Sequence, residues 1–587
     1  MATLRKIKRA LRGEIDPATA ALEVLRRTRA SWQQRKERAN LDREDPLNLR
    51  SPVRTPKFFR LQSNEVPPIT FNHPIEWNRD PRSGYLWPLD YHRDLKLMRS
   101  DGSDIRVVWE LNRLGHFITL GRAYERTKDE RFAVAFMDQL KSWHEQNPYG
   151  RGPNWQCAME VALRAVNLIA AREMFRESTQ VDTQFLLRLF QQHGNYISRN
   201  LEFSYIATSN HYLSDVAGLL WIGVMVPELR DADRWREFGL REMLREMDKQ
   251  VLPDGADFES STGYHRFVTE LFLYSFVLCR ENGIDIDAKY WSRLRAMLLY
   301  IRAYVRPDGF APLIGDTDGG QFLPLEQRSA DDHRYLLEIA AELLNDPALR
   351  DAETGSKAFP HAGIYIMRHD DLYLCFNASG AGINGRGSHG HNDVLSIEVS
   401  ARGRAFIVDP GTYMYTGDLK RRHEFRSTAY HSTVQIDGVE QNTIERDMPF
   451  IIGDEARPRV LHWDEQKIVA EHYGYQRLKN PVIHRRTVTF DNASWLIEDE
   501  FLGDGEHEFE VRFHFAPGLQ VNTDNANVQV RDRDTNLTLT VQSLSLSVSP
   551  ALEQQFTSRN YGEIQESISA CWRFCGPPRK LSWKLSL

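Results

Sequence analysis

The sequence contains no long apolar segment, few cysteines and no excess of positive charge. Its most apolar stretches, such as residues 271–279, are far shorter than the ~20 residues that a membrane-spanning helix requires. The 75 basic and 81 acidic residues give a formal net charge of −6, which argues against a nucleic-acid-binding protein that relies on bulk positive charge. We therefore expect a soluble globular protein without a nucleic-acid or membrane partner.

The five cysteines include no Cys-x-x-Cys pair, so the sequence gives neither a disulfide framework nor a thiolate zinc site. Cys571 and Cys575 lie four apart in a predicted strand, and a bridge between them stays open. The N-terminus also lacks the apolar stretch of about 7–15 residues that marks a signal peptide. The localisation is therefore left open between the cytoplasm and, if a leader was removed, the periplasm or the exterior.

Apolar residues follow a helical period from about residue 104 to 350. One helix is predicted over Val107–Leu120, because its apolar side chains recur on one face. Lengths of about 15–20 residues with short connections are typical of antiparallel helical hairpins, and the absence of a sequence repeat favours an α/α toroid over a regular solenoid. Further helices are predicted over residues 130–146, 154–175, 184–201, 209–226, 233–250, 263–282, 290–305 and 333–344.

After about residue 360 the pattern changes to the alternation of half-buried strands joined by tight turns. The expected fold is a multidomain α+β protein in which a helical toroid precedes an antiparallel β-sandwich. Three segments are predicted: a basic N-terminal arm and lead-in over residues 1–100, the toroid over residues 101–355, and the β-sandwich over residues 356–587. We interpret the Arg- and Lys-rich first 54 residues as a solvated amphipathic arm.

Two polar segments stand at predicted helix starts. Asn210 and His211 follow Ser209, which can cap the helix, yet an Asn-His pair at a helix start can also hold a carboxylate. Tyr264 and His265 stand at the end of a polar loop that begins at residue 254. Both can be ordinary residues at a helix boundary whose polar ends contact water. In each case the structural and the functional interpretation stay open.

Carboxylates near these segments raise a rival interpretation. Asp257, Asp316 and Asp318 lie on loops of the predicted toroid. Paired carboxylates in that position are what a glycoside hydrolase requires, one as acid and one as base or nucleophile.

A third polar group lies in the predicted β region. His389 and His391 are two apart in extended chain and therefore share a face, which suggests two metal ligands. Asp409 at a strand end and His431 before the next strand complete a candidate zinc site with room for a fourth ligand.

These segments resemble the heparinase II/III-like polysaccharide lyases, a family that includes heparin and heparan sulfate lyases, broad glycosaminoglycan lyases and oligoalginate lyases. The resemblance runs from about residue 100 to 440. The matching blocks are NWQCAMEVALRAVNLI (154–169), TSNHYLSDVAGLL (208–220), DGADFESSTGYHRF (254–267), GSHGHNDVLSIEV (387–399), FIVDPGTYMY (406–415) and AYHSTVQIDG (429–438).

The resemblance implies an incomplete α/α toroid followed by a β-sandwich, with a cleft between them. It also implies β-elimination next to a uronate, whose carboxylate must be neutralised before the C5 proton can leave. Asn210 and His211 match the neutralising pair, Tyr264 the residue that takes the C5 proton or protonates the leaving O4, and His389 a histidine on the other side.

The same resemblance divides the two histidines of the turn. It assigns His391, Asp409 and His431 to a divalent metal, zinc first with manganese or calcium as alternatives, in a chiefly structural role. Five further residues are predicted to contact the anionic polysaccharide: His265, Arg386, Tyr413, Tyr415 and Arg426. Glu160 and Arg164, four apart on one helix, are interpreted as an interior ion pair.

The predicted function is a polysaccharide lyase that leaves a 4,5-unsaturated uronate end, with a glycosaminoglycan such as heparan sulfate, hyaluronan or chondroitin as the favoured substrate. An alginate or bacterial exopolysaccharide lyase is the second choice. A toroid-type glycoside hydrolase and a non-catalytic glycan-binding or assembly protein are the alternatives of another class. The oligomeric state is not predicted.

Overall fold

The structure, a computed structural model, describes residues 53–56, 58, 74–326, 328–383 and 385–587. The basic arm predicted for the first 54 residues lies almost entirely outside this part of the chain. Helices come first: α1 Ile105–Asn112, α2 His116–Thr127, α3 Glu130–Gln146, α4 Ala158–Met174, α5 Thr183–Arg199, α6 Asn210–Met225, α7 Ala232–Gln250, α8 Thr262–Glu281, α9 Ala288–Tyr304 and α10 Arg334–Leu343.

Strands follow, and all their pairings are antiparallel. They are β1 Lys357–Phe359, β2 Ile364–His369, β3 Leu372–Asn377, β4 Ser396–Ala401, β5 Arg404–Ile407, β6 Val434–Ile436, β7 Arg459–Trp463, β8 Lys467–His472, β9 Val482–Asp491, β10 Ser494–Gly503, β11 His507–His514, β12 Gln520–Asp524, β13 Asn527–Arg531, β14 Thr538–Ser543, β15 Ala551–Thr557, β16 Gln565–Gly576 and β17 Lys580–Ser586. One short helix that was not predicted, α11 (Leu419–Phe425), lies between β5 and β6.

The prediction of a single helix over Val107–Leu120 is wrong, because α1 ends at Asn112 and a separate helix, α2, begins at His116. Leu114 adopts a left-handed backbone conformation with φ of 60°. Gly115 follows, and a side chain there would meet Pro324 at 2.8 Å. The apolar period runs through the break, so periodicity alone did not reveal it.

The helices form two layers. Helices α4, α6 and α8 are buried along almost their whole length, whereas α5 and α7 keep a polar side exposed. A helix that is apolar all round belongs in a core, and an amphipathic one covers it. Gly218 allows α6 to approach α4, since a Cβ there would lie 2.6 Å from the Ala162 Cβ. Among the described residues, no helix combines the length and the apolar character needed to cross a membrane.

A five-stranded sheet in the order β1-β2-β3-β4-β5 is the middle layer. Along β2, Ile364 and Ile366 join the helical core, while Tyr365 and Met367 join the core of the sheet region. Because successive side chains of a strand point to opposite faces, this one sheet packs against both cores. An eight-stranded sheet (β12-β13-β14-β17-β10-β9-β8-β7) and a four-stranded sheet (β15-β16-β11-β6) enclose the second core.

Polar contacts fix the helical part against the sheets. Arg306, after α9, forms an ion pair with Glu398 of β4 at 2.9 Å, and both side chains are buried. The Tyr373 hydroxyl donates to the Tyr304 carbonyl at 2.8 Å. All five cysteines are free, so the bridge left open between Cys571 and Cys575 is absent.

Candidate active site

Two side-chain caps place the predicted catalytic residues at the first turns of inner helices. The Ser209 hydroxyl accepts from the His211 backbone N–H at 3.4 Å, and the Ser261 hydroxyl accepts from that of Tyr264 at 3.0 Å. Serine satisfies amide groups that a helix start leaves unpaired. The capping interpretation therefore applies to the serines and leaves the following residues for the site.

Asn210 is fully buried and is bound to a carboxylate that sequence reasoning missed. Its backbone N–H and its side-chain amide both donate to Glu259, at 2.8 to 3.1 Å. A second contact joins Glu259 to the His389 Nε2 at 3.4 Å. Glu259 therefore links the helical side of the site to the sheet side.

His211 is held in its charged form by Glu202. The Nδ1 atom lies 2.5 Å from the Glu202 carboxylate, and the side chain is 40% exposed to solvent. Burial alone would lower the pKa of His211, but the charge and hydrogen bond of Glu202 raise this pKa to about 9. Cys157 donates to the same carboxylate at 3.0 Å. The result is an imidazolium at neutral pH beside Asn210.

Tyr264 lies at the boundary of the helical and sheet parts. Its ring stacks on that of His389, with centroids 3.6 Å apart and planes within 14°. Its hydroxyl is 3.0 Å from the Tyr415 hydroxyl. Burial, together with the charges of Asp318 and Asp316, holds the pKa of Tyr264 well above its ordinary value. Tyr264 is therefore protonated at neutral pH.

Asp316 is the centre of a buried charged network. Its carboxylate accepts from the His389 Nδ1–H at 2.9 Å and the His391 Nε2–H at 3.0 Å, and both terminal nitrogens of Arg422 donate to it. Burial opposes its ionisation, but Arg422 and the two histidines keep the pKa of Asp316 well below its ordinary value. The absence of a side chain at Gly315 allows this approach, since a Cβ there would lie 2.7 Å from the His389 carbonyl.

This environment argues against Asp316 as the acid of the hydrolase interpretation. Asp316 is an ion-paired carboxylate without a proton to give, as a glycosidase acid must have. Burial and the charge of Glu259 raise the pKa of Asp257 well above its ordinary value, and its Oδ2 accepts from the Glu259 backbone N–H at 3.1 Å.

The structure brings together a group able to bind a metal: His391, Asp409 and His431, whose ligand atoms lie within 4.8 Å of one another. His391 donates Nε2–H to Asp316, which leaves its buried Nδ1 without a partner. His431 donates Nδ1–H to the Ser427 carbonyl at 2.7 Å, which leaves its buried Nε2 without a hydrogen-bond partner, 3.5 Å from the Asp409 carboxylate. Each imidazole therefore has one nitrogen with a free lone pair near the Asp409 carboxylate, because its other ring nitrogen donates a hydrogen bond. This arrangement fits a divalent metal ion.

Of the residues predicted to contact substrate, two have structural roles instead. His265 is buried, its Nδ1 accepts from the Asp257 backbone N–H at 3.0 Å, and its Nε2 donates to the Met297 carbonyl at 3.1 Å. Arg426 is buried and donates to the carbonyls of Pro449 and Met448. Both predictions of substrate contact are therefore corrected.

The other three predicted contacts have different positions. Tyr415 belongs to the site through its hydroxyl bond to Tyr264. Arg386 is exposed on the glycine-rich turn before His389. Tyr413 stacks on Phe425 of α11, with ring centroids 5.9 Å apart. Substrate contact by these side chains stays a prediction.

Glu160 and Arg164 were predicted to form an ion pair with each other, but in the structure each binds other residues. Glu160 receives two hydrogen bonds from Arg113, each 2.8 Å long. Arg164 donates to the His193 Nε2 and to the Asn154 carbonyl, both at 3.0 Å. Spacing on one helix gave a feasible pair, but neighbouring elements supplied other partners.

Comparisons with known proteins agree on one family. The family model described as heparinase II/III N-terminus matches residues 1–327, and the model described as heparinase II/III-like, C-terminal, matches residues 351–580. A heparin-sulfate lyase of Pedobacter heparinus is 26% identical over 458 residues, which cover 74% of this chain and 66% of that protein. The chain thus spans just under two thirds of the length of this relative. A heparin-sulfate lyase of Bacteroides stercoris is 23% identical over 477 residues, which cover 75% of this chain and 68% of that protein.

Solved structures share the fold. A crystal structure of heparinase III matches with a TM-score of 0.69 and 18% identity, covering 90% of this chain and 88% of its own. The chondroitin AC lyase of Streptomyces coelicolor matches with a TM-score of 0.52 and 11% identity, covering 81% of this chain and 74% of its own. The predicted order of a helical toroid and an antiparallel β-sandwich is confirmed.

Proposed function

The chain belongs to the heparinase II/III family, and we propose that it is a polysaccharide lyase that cleaves a 4-linked uronate glycan by β-elimination. The observation that carries the proposal is the stack of Tyr264 on His389 at the boundary of helices and sheets. Glu259 links His389 to Asn210, the residue before the imidazolium of His211. A pure glycan-binding protein has no need of stacked proton-transfer residues. The proposal combines a fixed cation with two groups able to move protons.

The first task is to neutralise the uronate carboxylate. Loss of the C5 proton generates an enolate-like charge on that carboxylate, which preorganised donors stabilise. His211 supplies a cation that is partly exposed to solvent, and Glu202 keeps it protonated. Asn210 lies beside it at the start of α6, with its amide oriented by Glu259. Glu202 and Glu259 are therefore positioning residues in this proposal.

The second task is the transfer of two protons. The C5 proton leaves, a C4=C5 double bond forms, the bond from C4 to the glycosidic oxygen breaks, and that oxygen takes a proton. Because Tyr264 enters the reaction protonated, we assign it the donation to the leaving oxygen. His389 donates its Nδ1–H to Asp316, so its Nε2, which lies 3.4 Å from the Glu259 carboxylate, is the candidate acceptor of the C5 proton.

The metal proposal concerns His391, Asp409 and His431. We propose zinc, with manganese or calcium as alternatives, because two imidazoles and one carboxylate are ligands that zinc prefers. The ion, when bound, supplies a fixed charge that braces the turn carrying His389. His391 connects this group to the site, since its other ring nitrogen donates to Asp316.

The proposed substrate is an anionic, uronate-containing polysaccharide, with a glycosaminoglycan first and alginate or a bacterial exopolysaccharide second. The relatives' names support the first choice, as both are heparin-sulfate lyases. The residues above contact only features common to all uronates. The choice among these polymers therefore depends on the experiment.

The test is a screen of heparan sulfate, hyaluronan, chondroitin and alginate by ultraviolet absorbance, which rises when the unsaturated uronate forms. We expect absorbance to rise with one or more of these polymers and to stay flat with the Tyr264→Phe variant. New reducing ends without absorbance would favour the hydrolase, and saturable binding without any product would favour the glycan-binding alternative.

A further inference from the structure

A short loop of the sheet region presents apolar side chains to solvent beside the catalytic residues. Residues 444–452 form this loop, closed at its base by a bridge between Ile444 and Ile452. Met448, Phe450 and Ile451 are 39%, 36% and 40% exposed. Clustered exposed apolar side chains mark binding surfaces when they border a cleft.

Phe450 differs from the other two exposed residues in its neighbours. Its ring centroid lies 5.0 Å from that of Tyr415 and 6.1 Å from that of His389. These are the rings that contact Tyr264. Phe450 therefore adds one ring to the aromatic group formed by Tyr264, His389 and Tyr415, while part of its own surface remains exposed to solvent.

Buried arginines hold the loop in place. Arg422 donates through Nε to the Pro449 carbonyl at 2.9 Å, and Arg426 donates to the carbonyls of Pro449 and Met448 at 2.9 and 3.1 Å. The next residue after Arg422 helps as well, because the His423 ring donates to the Arg446 carbonyl at 2.8 Å. Hydrogen bonds from α11 and from the residue after it thus fix three successive parts of the loop.

The guanidinium of Arg422 joins this loop to the proton-transfer residues. While its Nε binds the loop, the terminal nitrogens of Arg422 bind Asp316, which in turn binds His389. Phe450 is consequently held at a fixed distance from His389 by a chain of buried, charge-assisted bonds. A rigid aromatic ring at a cleft provides contact area at small entropic cost.

We propose that Phe450 is a substrate-binding platform that stacks on the apolar face of one of the two sugars joined by the scissile bond. A pyranose ring presents its C–H groups on such a face, and an exposed aromatic ring is the matching surface. This inference rests on the proposed function. It adds a binding residue that acts through an uncharged face of the glycan, apart from the groups that bind the uronate carboxylate.

The experiment compares Phe450→Ala and Phe450→Trp with the wild type on the polymer that the wild type cleaves. For Phe450→Ala we expect KM to rise about tenfold with kcat within about twofold, the size of one aromatic contact that binds substrate and transition state alike. Phe450→Trp should restore KM to within about threefold of the wild type, because it keeps an aromatic face.

Met448→Ala and Ile451→Ala are matched controls, since both side chains are equally exposed on the same loop. We expect wild-type KM for both. A rise in KM equal to that of Phe450→Ala in either control would overturn the platform, as would an unchanged KM in Phe450→Ala. A wild type that yields no unsaturated product refutes the proposed function instead. In that case the affinity of the same variants for uronate oligosaccharides, measured by calorimetry, decides the platform separately.

Discussion

Two groups of described side chains have ligand atoms that lie close enough together to share one metal ion. The helical group and the sheet group are, respectively, Cys157 with Glu202 and His211, and His391 with Asp409 and His431. They differ in what those atoms already bind. In the helical group the thiol and the imidazole both hydrogen-bond to the carboxylate between them. In the sheet group two buried imidazole nitrogens have no hydrogen-bond partner.

This difference assigns the two groups different chemistry. Proximity of ligand atoms is common to both, so it does not identify a metal site. The hydrogen-bond partners of those atoms do identify a metal site. A buried nitrogen lone pair without a hydrogen-bond partner costs free energy, and a bound metal ion offsets that cost. The helical group instead raises the pKa of His211 to about 9 and so creates a cation from side chains alone. Four predictions test this division, from the largest effect to the smallest.

The largest effect is expected at Tyr264, the proposed proton donor. Tyr264→Phe removes the proton donor while keeping the ring that stacks on His389. We expect kcat to fall about 10³-fold with KM nearly unchanged, the scale of lost general acid catalysis. Tyr415→Phe is the matched control, since it removes only the neighbouring hydroxyl, and about a tenfold loss is expected. Equal losses in both variants would contradict the assignment of Tyr264 as the donor.

The next effect tests the helical group. Because the pKa of His211 is raised, the imidazolium is complete at neutral pH and is lost as pH rises through about 9. In Glu202→Gln we expect kcat/KM at pH 7 to fall about fourfold, because a histidine with a pKa of about 6.5 is only about one-quarter protonated there. The alkaline limb of the pH profile should move down toward the ordinary histidine pKa of about 6.5. An unshifted limb would show that Glu202 does not set the charge of His211.

The third effect tests the sheet group against the helical one. We expect His431→Ala to lose the bound metal and Cys157→Ser to keep it, as measured by elemental analysis of the purified protein. A chelator should then lower the melting temperature of the wild type and of Cys157→Ser, but not that of His431→Ala. The stability at stake is about 4 kcal/mol at an ion concentration a thousand times the dissociation constant. Metal retained in His431→Ala and lost in Cys157→Ser would reverse the comparison.

The smallest effect is expected outside both groups. Arg386 is exposed on the turn before His389, where its charge can attract the polyanion. We expect Arg386→Ala to raise KM about threefold at low salt, and less at higher salt because exposed charges are screened. A salt-independent loss of kcat would instead place Arg386 among the proton-transfer residues.

The sequence was informative where function depends on local order. The starts of α6 and α8 were predicted to within one residue, since caps and polar side chains precede apolar runs there. The antiparallel sheets followed from alternation in the same way. The roles of the four candidate catalytic residues and the three candidate metal ligands came instead from the resemblance to the family, and they stay predictions.

Partners distant in sequence were not predictable. Asp316 and Arg422 are 106 residues apart, and Glu259 meets Asn210 from a separate loop. Arg426 was predicted to bind substrate, yet Arg422, one turn earlier, is the residue that reaches the site, because packing alone decides which turn of α11 faces it. Phe450 gave no signal, as an isolated phenylalanine in a loop is ordinary in sequence.

The most direct test of the account is the mass of the products from one uronate oligosaccharide of known mass. Elimination leaves two fragments whose masses sum to that of the parent, one of them with the ultraviolet chromophore. We predict this result for the wild type and no fragments above background for Tyr264→Phe. Fragments that together exceed the parent by one water molecule, or full activity in Tyr264→Phe, would contradict the account.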